Sequence, residues 1–315
     1  MDGPPAVIWR EEVERLLRYE DLVPRLEQAL GLFSRRDAAA VLQPVRTAVP
    51  LSKHGGFFLL MPAYMEQDGV LCTKLVCAYK REDESSLPAT QATVMLLDPL
   101  YGNVKAVMDG EVITAMRTAA VSAISAKAGT PSRVSRPEPL RGLHPDCIVV
   151  FNLFNVRLLL QVRVWSHSKE RAESFVASLG GAASACVLVE AAVSGADAIV
   201  TATRSTEPLL LGRWVKPGAH VAAVGACRPD WRELDDRLME EAVVYADSRE
   251  AAMVESGDII LSGAEVFAEL GEVLNGTKPA HRDKTTVFKS LGLAVEDAVS
   301  AKLVFDQWED RTSSV

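Results

Sequence analysis

The sequence predicts an α/β protein in two parts: an α+β unit on an antiparallel sheet, then a doubly wound parallel sheet. Three observations carry this. Residues 41–108 hold strand-like runs, VLQPVRTAVPL, GGFFLLMPAYM, LCTKLVCAY, ATVMLL and VKAVM, separated by turn signals. From 162 onward, short apolar runs (VRVW, DAIVTAT, AHVAAVGA, AVVYAD) alternate with helical segments at βαβ spacing, as in a sheet buried on both faces. Between them, the stretch Val107–Lys127 joins the two halves and carries a helix built from Ala, Ser, Thr, Val and Ile, with Arg117 near its start.

Taken in order, Trp9–Leu32 has helical periodicity, with Val13, Leu16, Leu17, Val23, Leu26 and Leu30 lining one side of one or two short helices. The runs after 41 follow as strands, and Asp98–Gly102 reads as a hairpin connection, so the first half predicts an antiparallel sheet with helices on one side. VRVW (162–165) is a strand, and SKERAESFVASLG a helix closed by Gly180. ACVLVEAAVSGA gives a short strand or turn and a helix. At the end, Val295–Trp308 reads as a helix with Val295, Ala298, Val299, Leu303 and Trp308 apolar.

Bulk properties exclude several classes. A chain of 315 residues with 48% apolar content builds a sizeable core. A net charge of −8 argues against nucleic-acid and anionic-membrane partners. Five cysteines (72, 77, 147, 186, 227) have no CxxC spacing and read as reduced thiols of a cytoplasmic protein, with no metal site. The start, MDGPPAVIWREEVERLL, lacks the basic-then-apolar pattern of a signal peptide. The apolar run Cys147–Val164 is interrupted by Asn152, Asn155, Arg157, Gln161 and Arg163, so no membrane span is expected.

Three cations stand out in the first half: Arg46, Lys74 and Arg117. Arg46 and Lys74 lie in apolar, strand-like runs, where an unpaired charge is costly. Two partners fit: an internal carboxylate such as Asp109 or Glu66, or a ligand carboxylate gripped by guanidinium forks. Arg117, in the first turns of the small-residue helix, fits an anion site at a helix start or an ion pair. At the end of VRVW, where an NAD enzyme places an acid for the ribose, stand Ser166, His167, Ser168 and Lys169. Such donors favour the 2′-phosphate of NADP, and Ser also serves as an ordinary helix cap.

The stretches ITAMRTAAVSAISAK, WVKPGAHVAAVGACRPDWRE (214–233), ESGDIILSGAEVFAELGEVLNGTKPAHRDKTTVFKSLGLAVED (255–297) and QPVRTAVP (43–50) resemble the ornithine cyclodeaminase/mu-crystallin family, on its mu-crystallin side. The resemblance covers roughly 5–130 and 162–308. It implies a substrate-binding and dimerisation domain of residues 1–115 with 295–315, reached by the returning C-terminal helix. A Rossmann-like dinucleotide domain would span 116–294. The implied activity is NADPH-dependent reduction of cyclic ketimine carboxylates by a homodimer, together with triiodothyronine binding. It implies Arg46, Lys74 and Arg117 around the substrate carboxylate, with Arg46 and Glu255 tied to the hormone. Thr90, Arg117, Ser166, His167, Ser168, Thr203, Val224, Cys227 and Ser290 would lie along the cofactor. Two departures are visible. Pro88-Ala89-Thr90-Gln91-Ala92 stands where relatives read Pro-Ser-His-Gln-Ala, and Cys227 stands where the cyclodeaminase branch has a catalytic Asp, which argues against cyclodeamination. A bound water or a protonated imine would supply the proton.

Residues 131–161 break the pattern. A Rossmann half opens with a strand, a Gly-rich turn and a helix. Here the stretch 132–161 contains one glycine, Gly142, before its one good strand, CIVVF (147–151). Asn152-Leu153-Phe154-Asn155 follows without glycine, and only residues 152–161 lie before Val162, barely room for a crossover helix. Three accounts fit: a segment substituted through a gene-model or splicing artefact, an isoform without cofactor binding, or a degenerate Rossmann start with a weaker site. A non-catalytic hormone-binding or structural homologue is the alternative reading of the whole chain.

Overall fold

The computed structural model describes residues 4–36, 40–79, 88, 90–130, 147–152 (backbone only), 161–179 and 183–313. The chain divides into two compact units, Met1–Ala120 with Leu293–Val315, and Val121–Gly292. Among the described residues, no helix is long and apolar enough to cross a membrane.

The first unit opens with β1 (Ala6–Ile8), α1 (Arg10–Leu16) and α2 (Tyr19–Ser34), then β2 (Thr47–Leu51), β3 (Gly56–Met65), β4 (Val70–Tyr79), β5 (Thr90–Leu97) and β6 (Val104–Asp109). These strands form one sheet in the order β1-β6-β5-β4-β3-β2. All neighbours are antiparallel except β1, which runs parallel to β6. Period-two alternation along β4 turns Val70, Cys72, Lys74 and Val76 inward. Lys74 is thus a cation on the core face of a strand. Helix α3 (Gly110–Gly129) follows, and the division between units falls inside it.

The second unit contains β7 (Cys147–Asn152), β8 (Gln161–Ser166), α4 (Lys169–Leu179), β9 (Ala183–Cys186), α5 (Val189–Val193), β10 (Ala198–Ala202) and β11 (His220–Ala223). It continues with α6 (Asp236–Glu241), β12 (Val243–Ala246), α7 (Arg249–Glu255), α8 (Gly257–Ser262), β13 (Ala268–Glu269), α9 (Leu270–Leu274) and β14 (Thr286–Lys289). Its sheet order is β13-β12-β14-β11-β10-β7-β8-β9. All neighbours are parallel except β7, which is antiparallel to both β8 and β10. The doubly wound sheet is therefore mixed, and the disruption expected at its first βαβ turn takes a definite form. A parallel connection needs a dozen or more residues. Only residues 153–160 join β7 to β8, so the two pair antiparallel. Cys147, at the start of β7, sits opposite Ser166 and Ala202, which end β8 and β10.

The last helix, α10 (Ala294–Ser313), belongs to the first unit and packs on α2, β3 and β4. Its inner face carries Val295, Ala298, Val299 and Phe305, and also the buried acids Glu296 and Asp297.

Candidate functional site

The first unit gathers its charges in the core. Lys74, 1% exposed, donates to Asp297 at 2.9 Å and to the Thr114 hydroxyl at 3.2 Å. Buried Arg117 donates through Nη1 to Glu296 at 2.8 Å, and its Nε lies 3.5 Å from Asp297. The internal partners are thus Glu296 and Asp297, and neither Asp109 nor Glu66. Asp109 instead caps α3, accepting from the Val112 N–H at 2.8 Å. That corrects a second expectation. Helix α3 begins at Gly110, so Arg117 sits about two turns inside it rather than at exposed N-terminal amides. Arg46 precedes β2 rather than lying within a strand and is partly buried.

Burial pushes the Lys74 ammonium down from 10.5 to about 8. Asp297 holds it up by charge and hydrogen bond, while Arg117 and Arg46 push it further down. Lys74 therefore feels the fields of both Arg117 and Arg46. Lys74 has three N–H donors and two partners here, Asp297 and Thr114. Cys72, beside it on the same strand face, is an inert thiol: burial first, then Asp297, raise its titration far above the usual range.

The second unit concentrates polar groups at the carboxyl ends of β10, β11 and β14. These strands are mutually parallel, so their ends share one edge, the usual ligand edge of such sheets. Thr203 follows β10, Val224 follows β11, and Ser290 follows β14. Ser290 is 1% exposed, and its hydroxyl has no hydrogen-bond partner. A buried orphan hydroxyl at a ligand edge fits a ligand's polar group. Behind the edge lies Glu233, fully buried, whose carboxylate accepts from Thr201 Oγ1 (2.9 Å) and the N–H groups of Thr203 (2.5 Å), Gly225 (2.7 Å) and Ala226 (3.3 Å). Burial and Asp258 push its carboxyl up, and Lys289 pulls it back. All four contacts are donors, so the ionised form fits. Gly225 is obligatory in this arrangement, because a Cβ there would overlap the Thr203 carbonyl oxygen and the Glu233 carboxylate.

The remaining sequence-named residues are placed as follows. Ser166 is buried at the end of β8. His167 is exposed and meets the Trp165 ring edge-on at 4.8 Å between centroids. Ser168 caps α4, accepting from the Arg171 N–H at 3.2 Å and donating to Glu170 at 2.8 Å. Thr90 is exposed at the start of β5, opposite Ala78. Cys227 is a free, half-buried thiol. Glu255 ends α7 in the second unit, half-buried, while the basic trio belongs to the first. Among the described residues, no acidic, His or Cys cluster could hold a metal. Sequence reasoning missed Glu296, Asp297, Glu233, Asp258 and Lys289. The signal for the first pair was two acids inside the apolar run LGLAVEDAVSA.

The model of the ornithine cyclodeaminase/mu-crystallin family matches residues 5–312. The chain belongs to that family. It is 52% identical over 310 residues to the ketimine reductase mu-crystallin of Mus musculus, covering 98% of this chain and 99% of that one. It is 29% identical to a Δ1-pyrroline-2-carboxylate reductase of Bacillus cereus, over 97% of both chains. Among solved structures it resembles the Thermococcus litoralis Δ1-pyrroline-2-carboxylate reductase in complex with NADH and L-proline, with 27% identity, a TM-score of 0.83 and 98% of each chain covered. It also resembles an archaeal alanine dehydrogenase dimer with bound NAD, with 26% identity, a TM-score of 0.82, and 98% and 97% of the chains covered.

The edge fits a dinucleotide only in part. At this edge the buried, unpartnered Ser290 hydroxyl fits a polar group of a ligand. The diphosphate grip of a doubly wound sheet comes from the carboxyl end of its first strand and the helix that follows. Strand β7 holds that strand's place in the order but runs the opposite way, so its carboxyl end lies at the far edge.

Proposed function

We propose that this protein reduces the C=N bond of a cyclic ketimine carboxylate with a nicotinamide cofactor, NADPH. The observation that carries the reading is the Lys74–Arg117–Glu296–Asp297 cluster with Arg46 in its field. Two buried carboxylates hold the cations in place, and Lys74 keeps a donor for a substrate carboxylate. Held so, the imine is oriented for reaction, which is catalysis by positioning. The chemistry the cofactor supplies is a hydride for the imine carbon. Thr203, Val224, Cys227 and Ser290 would hold its nicotinamide end. Ser166, His167 and Ser168 would meet the 2′-phosphate, although the Ser168 hydroxyl is already engaged by Glu170. Relatives named for ketimine and pyrroline-2-carboxylate reduction support the substrate class. Arg46→Ala tests the reading: KM for the ketimine should rise at least ~10-fold while that for NADPH changes little, a loss of about 1.4 kcal/mol or more confined to one ligand. Equal changes in both would remove Arg46 from the carboxylate site.

A second reading is favoured by the reversed β7: a binding protein for triiodothyronine or another bulky amino-acid carboxylate, working without turnover. Arg46 and Glu255 would serve the hormone in this reading. We further read the protein as a cytoplasmic homodimer. Hormone retained by the protein in the absence of NADPH would support this second reading.

A further inference from the structure

We propose that Glu233 is a positioning residue that sets the two turns of the nicotinamide edge relative to each other. Its Oε1 fixes the turn after β10 through the Thr203 N–H, and its Oε2 fixes the turn after β11 through the Gly225 and Ala226 N–H groups. Thr201 Oγ1, on the last turnward stretch of β10, steadies Oε2 from the strand side. The backbone ladder between these strands reaches only Val224, whose N–H donates to the Thr201 carbonyl at 2.7 Å, and stops short of Thr203, Gly225 and Ala226.

The brace is anchored at a third strand. The Glu233 and Leu234 N–H groups donate to Asp258 Oδ1 at 2.8 and 3.1 Å, and Asp258 Oδ2 accepts from Lys289 Nζ at 3.2 Å. Lys289 is fully buried, ends β14 and directly precedes Ser290. One chain of charge-assisted hydrogen bonds therefore runs behind Thr203, Gly225, Ala226 and Ser290, and the last of these aims a buried, unpartnered hydroxyl. A fold needing only to close two turns could use neutral partners. A fully buried carboxylate is costly unless it is hydrogen-bonded, and here four donors meet it, one at Oε1 and three at Oε2. Such a brace holds ligand-facing groups at fixed positions before a ligand arrives.

This inference rests on the reductase reading, and the test separates the two. The full-length Glu233→Gln variant keeps the shape but turns an NH2 group toward backbone N–H donors. NADPH binding is followed by fluorescence titration, carboxylate binding by calorimetry with pyrrole-2-carboxylate, and the turns by amide hydrogen exchange at Thr203, Gly225 and Ala226. Expected are an NADPH Kd raised at least ~10-fold, faster exchange at those amides, and unchanged pyrrole-2-carboxylate affinity. Unchanged NADPH affinity in the variant, with wild type binding normally, overturns the role of Glu233 alone. Wild type that binds no NADPH overturns the reductase reading, and this inference with it. Should Glu233→Gln not fold, Thr201→Val removes one donor at constant shape. It should raise the NADPH Kd by a smaller factor, and no change there also refutes the brace.

Discussion

Asp297→Asn tests the charge cluster quantitatively. In the wild type Lys74 titrates at about 8, held there against burial by Asp297. At pH 7 its bound proton therefore contributes on the order of 1 kcal/mol relative to the neutral amine. Removing the Asp297 charge lowers Lys74 further. Once the lysine sheds its proton, the loss from this source is capped at about 1 kcal/mol. Loss of the 3.5 Å Arg117 contact adds about 1 kcal/mol, because Glu296 still holds Arg117. At pH 9 Lys74 is already neutral in the wild type, so the first contribution disappears. Urea unfolding at both pH values should thus give a destabilisation of about 2 kcal/mol at pH 7 that shrinks by about 1 kcal/mol at pH 9. A difference that stays constant, or grows with pH, would refute the assignment of the Asp297–Lys74 pair.

Three further outcomes follow from the same geometry. Because folding lowers Lys74 from 10.5 to about 8, the unfolded chain binds more protons between those values, so wild-type stability rises across that window by roughly 3 kcal/mol; Lys74→Met should flatten the rise in urea titrations. Buried His220, lowered by burial from 6.5 to about 4 between Ser125 and Thr286, stays neutral in the folded chain, so stability falls by roughly 3 kcal/mol from pH 6.5 to 4, and His220→Asn should lose that slope. Gly225→Ala forces a methyl group onto the Thr203 carbonyl and Glu233; a loss of more than about 2 kcal/mol by urea unfolding is expected, and a neutral result would contradict the turn geometry.

Much of this arrangement was legible in the sequence. Period-two runs gave the strands of the first unit, and apolar runs at βαβ spacing gave the second. Lys74 announced itself as a charge in an apolar strand, and its burial follows from alternation along β4. Its partner was not legible: Asp297 lies 223 residues away, and only tertiary packing brings α10 onto β4. The apolar pattern does not mark where α3 begins, so it puts Arg117 too near the helix start. Asp109 and Gly110 mark it, through a cap that needs coordinates to be seen. The short spacing around 152–161 revealed a failed crossover. That the strand keeps its place but turns round is a property of the whole sheet, set by both neighbours at once. The Glu233 brace was hidden for a similar reason, since its donors come from two separate chain segments, 201–203 and 225–226.

The proposed reductase activity depends on nicotinamide-cofactor binding by a sheet whose strand β7 runs antiparallel to its neighbours. Fluorescence titration of the full chain with NADPH, beside reduced nicotinamide mononucleotide, tests it most directly. Saturable NADPH binding with a Kd on the order of 10–100 μM is expected, with mononucleotide affinity within about tenfold, or 1.4 kcal/mol, because the diphosphate adds little. NADPH binding more than about a thousandfold tighter than the mononucleotide would show an intact diphosphate grip, and no binding of either up to about 1 mM would leave the protein without a cofactor.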